Sequence, residues 1–407
     1  MAEQRKGYLA VAGSSIAIFW CGSFIFGFPG VMAPYWQELF QVGRGTVGNT
    51  LFFVLAAVGI FMFVVGRWQM KLGIRPMVTI GVVIVGLDQL LLGFASNIYL
   101  LYLWAFLMGF ASCFIYIPGL TTVQRWFPAR RGLVSGIVNC TFGISAAIMS
   151  PIFGYLLKTM DYVFMNVALG VIALLVGLVA AQFTEMPGAE ESPTQTTPAS
   201  GTAPTVVWGH SLTVSQTLRA PSFWFLWITW ALQGSACISM VMLSTQFGLA
   251  RGFALESAVI ILTAFNITNG LSRLLMGYLS DIIGRTFSMS LTFWAAGLAY
   301  LALPHLSDLS TIAITAAVIG FAFGTLFAVS APLTIDCFGV EHFGAIFGVV
   351  FTAYGFVAGP IGPSLSGYIL DLSGGNFVVV FTYLAVFCLM SGVLIRFVTP
   401  QRTDGRF

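Results

Sequence analysis

The chain has 407 residues, of which 58% are hydrophobic and only 8% charged, and its mean hydropathy is +0.94. A soluble domain carries about 25% charged residues, so this composition excludes a soluble globular fold and predicts an all-α integral membrane protein. Three histidines and 14 acidic residues leave little material for a catalytic, metal or cofactor site, and a net charge of +3 gives no sign of a nucleic-acid partner.

The first stretch, MAEQRKGYLAVAGSSIAIFW, begins like a signal peptide, but its apolar run continues through Trp36 without a small-residue cleavage site. It is expected to be an uncleaved first helix. With about 20 apolar residues per crossing, twelve spans follow at 8–36, 46–66, 76–96, 98–123, 132–157, 162–183, 221–248, 256–280, 286–304, 309–335, 344–371 and 376–398. Spans 1, 4, 7, 10 and 11 run long, which predicts tilt or curvature. Residues 184–220 form the one long polar stretch, rich in Pro, Thr, Ser and Glu, and read as a flexible linker. The expected organisation is a six-helix bundle over 1–183, a cytoplasmic linker over 184–220 and a second six-helix bundle over 221–407. The end of the linker, VVWGHSLTVSQTLRAPSF, is expected along the membrane surface.

The six cysteines (Cys21, Cys113, Cys140, Cys237, Cys337 and Cys388) are scattered and lack metal or redox spacing. They read as small core residues, with no disulfide framework. Placing the N-terminus in the cytoplasm puts thirteen basic residues on that side and leaves Arg44, Lys158 and Arg251 opposite. By the positive-inside rule both termini are cytoplasmic. The halves repeat. A shift of 211 superposes Gly66 on Gly277, Gly73 on Gly284 and Phe127 on Phe338. A shift of 212 superposes Gly132, Gly136, Gly143 and Pro151 on Gly344, Gly348, Gly355 and Pro363. Paired halves with a site near the midplane make up the architecture of alternating access.

The seventeenth basic residue, Arg273, belongs to neither side. It shares a helical face with Asn266 and Asn269, and Asp281 lies eight residues on, so Arg273 sits ~12 Å from the helix end. A cation so deep normally faces a bundle interior or an aqueous cavity. Its repeat twin is Met62, so the scaffold does not need the charge. The competing reading is a structural ion pair with Asp88 or Asp336. A guanidinium fits one carboxylate bidentately, and a single fixed cation favours a monoanion over a dianion such as oxalate.

Gly277-Tyr278-Leu279-Ser280-Asp281-Ile282-Ile283-Gly284-Arg285 resembles the signature loop of the major facilitator superfamily. The first-half copy, Gly66 to Arg75, has Met70 where the acid should be. Arg125-Trp126-Phe127-Pro128-Ala129-Arg130-Arg131-Gly132-Leu133-Val134-Ser135-Gly136 and the Phe28-Pro29 and Glu38-Leu39 pairs are similar to monocarboxylate porters and oxalate:formate antiporters. This resemblance implies twelve helices in two pseudo-symmetric bundles, a latch at Asp281, and Arg273 as the substrate-binding arginine. Gly30 stands where animal porters carry a lysine, Asn269 where an acid is usual, and Tyr354 where oxalate exchangers carry a lysine.

Asn269 reads either as a substrate ligand or as an interhelical amide bond, and Tyr116 as a cavity hydroxyl or a core tyrosine. Phe142 and Tyr354 are repeat-related and expected as facing walls, with Ile25, Phe327 and Phe351 as further lining. His210, His305 and His342 fall in loops or at helix ends, away from any midmembrane proton path. Asp88 is the acid deep in a span, read as a proton site or a paired structural acid. Asp336, the repeat equivalent of Arg125, reads as a gate residue. The expectation is a monomeric secondary transporter of lactate- or pyruvate-like monocarboxylates in the cell inner membrane, with proton symport, and not an enzyme. A proton-independent exchanger of the oxalate:formate type is the alternative, and a transporter-like sensor or efflux pump for apolar compounds the further one.

Overall fold

The computed structural model describes residues 2–187, 211–339 and 341–399. Most of the expected linker, with His210, lies outside the described residues. Among them, twelve helices are long and apolar enough to cross a membrane and no strand occurs. The first six are α1 (Arg5–Phe40), α2 (Arg44–Gly66), α3 (Ile74–Leu92), α4 (Ile98–Trp126), α5 (Leu133–Thr159) and α6 (Tyr162–Gln182). The last six are α7 (Pro221–Ala250), α8 (Leu255–Ile283), α9 (Arg285–His305), α10 (Leu309–Phe338), α11 (Phe343–Leu372) and α12 (Phe377–Phe397). Every expected span is present. Two further helices also run long, α5 with 27 residues and α8 with 29. These two pack against each other across the halves, as α2 does against α11.

Helix starts follow local chemistry. The side chains of Asn97, Asp161, Asp308 and Asn376 accept backbone N–H bonds in the first turns of α4, α6, α10 and α12. Before α7, Thr213 and Gln216 form a capping box on a short helix, Val214–Thr217, and Leu212 N–H donates to Phe338 O at 2.9 Å. This pins the stretch entering the second half to the end of α10.

The two inter-half crossings are made by repeat-related glycines. A Cβ added at Gly143 in α5 would lie 2.6 Å from the Cα of Gly270 in α8. One added at Gly355 in α11 would lie 2.7 Å from the Cα of Gly59 in α2. Only residues without a side chain let backbones approach this closely, the small-residue logic of membrane helix packing.

Two helices widen at the cavity. α1 has a π-helical segment at Ser23–Gly27, and α11 has two, at Ala353–Ala358 and Pro360–Ser364. Pro29, Pro360 and Pro363 lack an N–H and crowd the carbonyl four residues back, and a wider turn relieves both problems.

The halves meet firmly at one end. At the end opposite the termini, Asp371 on α11 accepts from the backbone N–H groups of Arg44 and Gly45 on α2, each at 3.0 Å. Asn49 donates to Tyr368 Oη at 3.1 Å, and Lys158 on α5 pairs with Glu256 on α8 at 2.5 Å. Gly30 is pressed against Val241 O and Leu262 of the other half, so no side chain fits at that position in this conformation. At the terminus-bearing end the described ion pairs stay within one half: Arg75–Glu185, and Arg285 with Asp281 and Asp336.

Candidate substrate-binding site

Midway along the helices a cavity lies between the halves. α1 contributes Ile25 and Phe26 to its wall, α2 Val54, Leu55, Val58 and Met62, and α4 Ser112 and Tyr116. Phe142 of α5, Phe327 of α10, and Phe351 and Tyr354 of α11 complete it. Six residues expected as binding residues are therefore brought together: Ile25, Tyr116, Phe142, Phe327, Phe351 and Tyr354. Arg273 and Asn269 are not part of this wall. Met62, the twin of Arg273, is.

Arg273 sits behind the wall, 2% exposed, against the rings of Phe327, Phe142 and Phe26, with its guanidinium carbon 4.4, 5.3 and 5.9 Å from their centroids. Cation–π attraction holds it there. Its Nε and Nη2 donate to Asn269 Oδ1, both at 3.3 Å. Through this oxygen the amide orients the guanidinium on its own helix, one turn away. The titratable groups that the guanidinium's charge meets are Tyr116, Tyr354 and Cys140, none of them a carboxylate. Asp336 is instead engaged by Arg285 at 2.6 Å, so the structure does not pair Arg273 with it.

Several buried groups in this region lack a hydrogen-bond partner among the described residues, and three of them are Arg273 Nη1, Asn269 Nδ2 and Tyr354 Oη. Each has a hydrogen to donate. Buried donors left unpaired are costly. Tyr116 Oη donates to Asn139 Oδ1 at 2.6 Å, which fixes the phenol at the wall. Asn266, on the same face as Arg273, donates to Phe26 O in the other half at 3.3 Å.

The remaining candidates lie elsewhere. Asp88 is 5% exposed on α3 and outside the cavity wall, with one carboxylate oxygen buried and unpartnered. Asp281 and Asp336 share Arg285 as a latch from the α8–α9 turn to the end of α10. Arg125 is exposed. Met70 and Arg67 have no described side chains. Sequence reading missed Phe26, Val54, Leu55, Val58 and Ser112 of the wall, and Asn139 as the partner of Tyr116. Phe26 sits beside Ile25 in an all-apolar run, and only the widened turn brings both to the cavity. Asn139 carried a signal as a lone amide in span 5.

Two repeat-related six-helix halves around a midplane cavity, joined by polar contacts at one end, define an alternating-access membrane transporter. A family model described as Major Facilitator Superfamily matches residues 15–262 and 252–406. The chain belongs to this superfamily, a family of membrane transporters rather than enzymes. It is 25% identical over 342 residues to the oxalate:formate antiporter of Oxalobacter formigenes, covering 83% of this chain and 78% of that one. It is 28% identical over 329 residues to monocarboxylate transporter 13 of Rattus norvegicus, covering 80% and 73%. Among solved structures, a bacterial homologue of the human lysosomal transporter Spinster, inward-facing and unoccupied, matches with a TM-score of 0.67. That match, at 14% identity over 97% of this chain and 95% of the other, is one of fold.

Proposed function

We propose that this chain is a secondary active transporter of small monocarboxylates in which Arg273 binds the carboxylate. The observation that carries this reading is a buried arginine that, among the described residues, has no acid beside it and an unpaired Nη1, next to the unpaired donors of Asn269 and Tyr354. Desolvated and uncompensated, such a cation is costly, and an anion is what balances it. The names of the relatives supply the chemical class. The bundles over 1–183 and 221–407 rock about their glycine crossings, with the linker over 184–220 between them. The excess of basic residues on the terminus-bearing side supports cytoplasmic termini, and on that reading this is an inward-facing conformation; a cell inner membrane and a functional monomer belong to the same proposal.

The test is uptake of radiolabelled pyruvate or lactate into proteoliposomes. Arg273→Gln is expected to abolish it with the fold intact by thermal unfolding. Retained uptake overturns the assignment of Arg273, whereas a wild-type protein that binds no carboxylate favours a sensor or an efflux pump.

Proton symport is the coupling we assign, with Asp88 as the proton-carrying acid. Asp88→Asn is expected to leave counterflow intact and to remove uptake driven by a pH gradient. The absence of an acid beside Arg273, and the position of Asp88 outside the cavity wall, favour a second reading: exchange of carboxylates without protons. Wild-type uptake that ignores an imposed pH gradient decides for it.

A further inference from the structure

We infer that the substrate is a monocarboxylate with an apolar body, a branched aliphatic or aromatic acid, preferred over both hydroxy acids and dicarboxylates. This rests on the reading of Arg273 as the carboxylate ligand and adds what the rest of the molecule must look like. The carboxylate reaches Arg273 past the rings of Phe142 and Phe327, so the body is left in the cavity in front of them. That cavity offers little to a polar body. Of the polar side chains in its wall, Ser112 Oγ already donates to Gly109 O at 2.7 Å and Tyr116 Oη to Asn139 at 2.6 Å. Tyr354 Oη alone is unengaged, and it lies where it completes the donor set for the carboxylate.

What faces the body is instead carbon: Ile25, Val54, Leu55, Val58 and Met62 on one side and the rings of Phe327 and Phe351 on the other. A second carboxylate here loses its hydration and meets no second cation. A hydroxyl meets two oxygens, Ser112 Oγ and Tyr116 Oη, whose hydrogens are already committed, so they accept from it but donate nothing to it. Each methylene added to the body removes apolar surface from water against these walls and tightens binding about fourfold.

The experiment is competition against counterflow of labelled pyruvate in proteoliposomes of the wild-type protein. The competitors are acetate, butyrate, 4-methylpentanoate, phenylacetate, L-lactate, oxalate and 4-methylpentanamide. The expected half-inhibitory concentrations fall about fourfold per methylene from acetate to 4-methylpentanoate, with phenylacetate among the best. Lactate and oxalate trail, and the amide, which keeps the body and lacks the charge, is inert. Lactate or oxalate competing as well as 4-methylpentanoate overturns the inference and leaves the carboxylate site standing. An amide as effective as its acid, or no transport of any carboxylate, overturns the carboxylate site with it. Val58→Asn, which puts an amide in the wall, is expected to flatten the length dependence. An unchanged slope in a protein of normal thermal stability counts against the inference.

Discussion

The two halves share a backbone plan and differ in chemistry. Gly59 in α2 and Gly143 in α5 have repeat partners in Gly270 and Gly355, and each first-half glycine crosses the repeat partner of the other. The outer contacts are paired the same way with their polarity exchanged. At α2 the second half supplies the carboxylate, Asp371, to a helix start of the first. At α5 the first half supplies the ammonium, Lys158, to Glu256 in the first turn of α8. At the centre the likeness ends: Arg273 is buried behind aromatic rings, while Met62 lines the cavity. Close backbone approach is what a two-fold rocking scaffold needs twice. A charge that binds one anion is needed once.

That contrast is open to direct attack. The largest effect belongs to the centre. Arg273→Gln is expected to abolish carboxylate uptake, whereas Met62→Gln at the twin position lowers it by no more than about tenfold. Comparable losses would mean that the asymmetry carries no function.

Next come the crossings. Gly143→Leu and Gly355→Leu each force a side chain into the opposing backbone. Overpacking of this kind costs roughly 1–3 kcal/mol, and both variants are expected to lose most uptake and to unfold at lower temperature. Gly277→Ala is the control, since nothing lies within 4 Å of a Cβ there. A crossing variant that behaves like Gly277→Ala would remove that glycine from the pivot.

Smaller effects are expected at the outer end. Asp371→Asn weakens a charge-assisted bond to two backbone N–H groups. It is expected to shift the protein towards the outward-facing form, read as a longer spin-label distance between positions 46 and 373. Lys158→Met breaks a pair whose side chains are 68% and 48% exposed. Such surface pairs contribute ~0–1 kcal/mol and are screened by salt. The distance change should be small and should vanish at high ionic strength. An effect of Lys158→Met as large as that of Asp371→Asn would show that the two outer contacts are energetically equal despite their different burial.

Particular residues show how far the chain could be read before folding. Gly143 and Gly355 were visible as a repeat pair, but their partners were not, because periodicity gives the face of a helix and not what the face meets. Arg273 and Asn269 were legible as one helical face. That the amide holds the guanidinium, and that Phe26, Phe142 and Phe327 stand between it and the cavity, depends on helix rotations set by packing. Asp371 closes the expected span 344–371 with no local signal of a partner. Its role in capping α2 spans 327 positions in the chain, and no local pattern encodes it.

By itself the sequence determined the twelve crossings, the repeat and the presence of one deep cation. These follow from quantities local to the chain: apolar length against bilayer thickness, glycine spacing, and the cost of a charge in hydrocarbon. Only the tertiary structure decided which groups around Arg273 were left unpaired, how apolar the cavity is, and which end is held shut. Those are relations between helices, fixed when backbones pack at the glycine crossings and the π-helical turns of α1 and α11 re-aim Ile25, Phe26 and Tyr354.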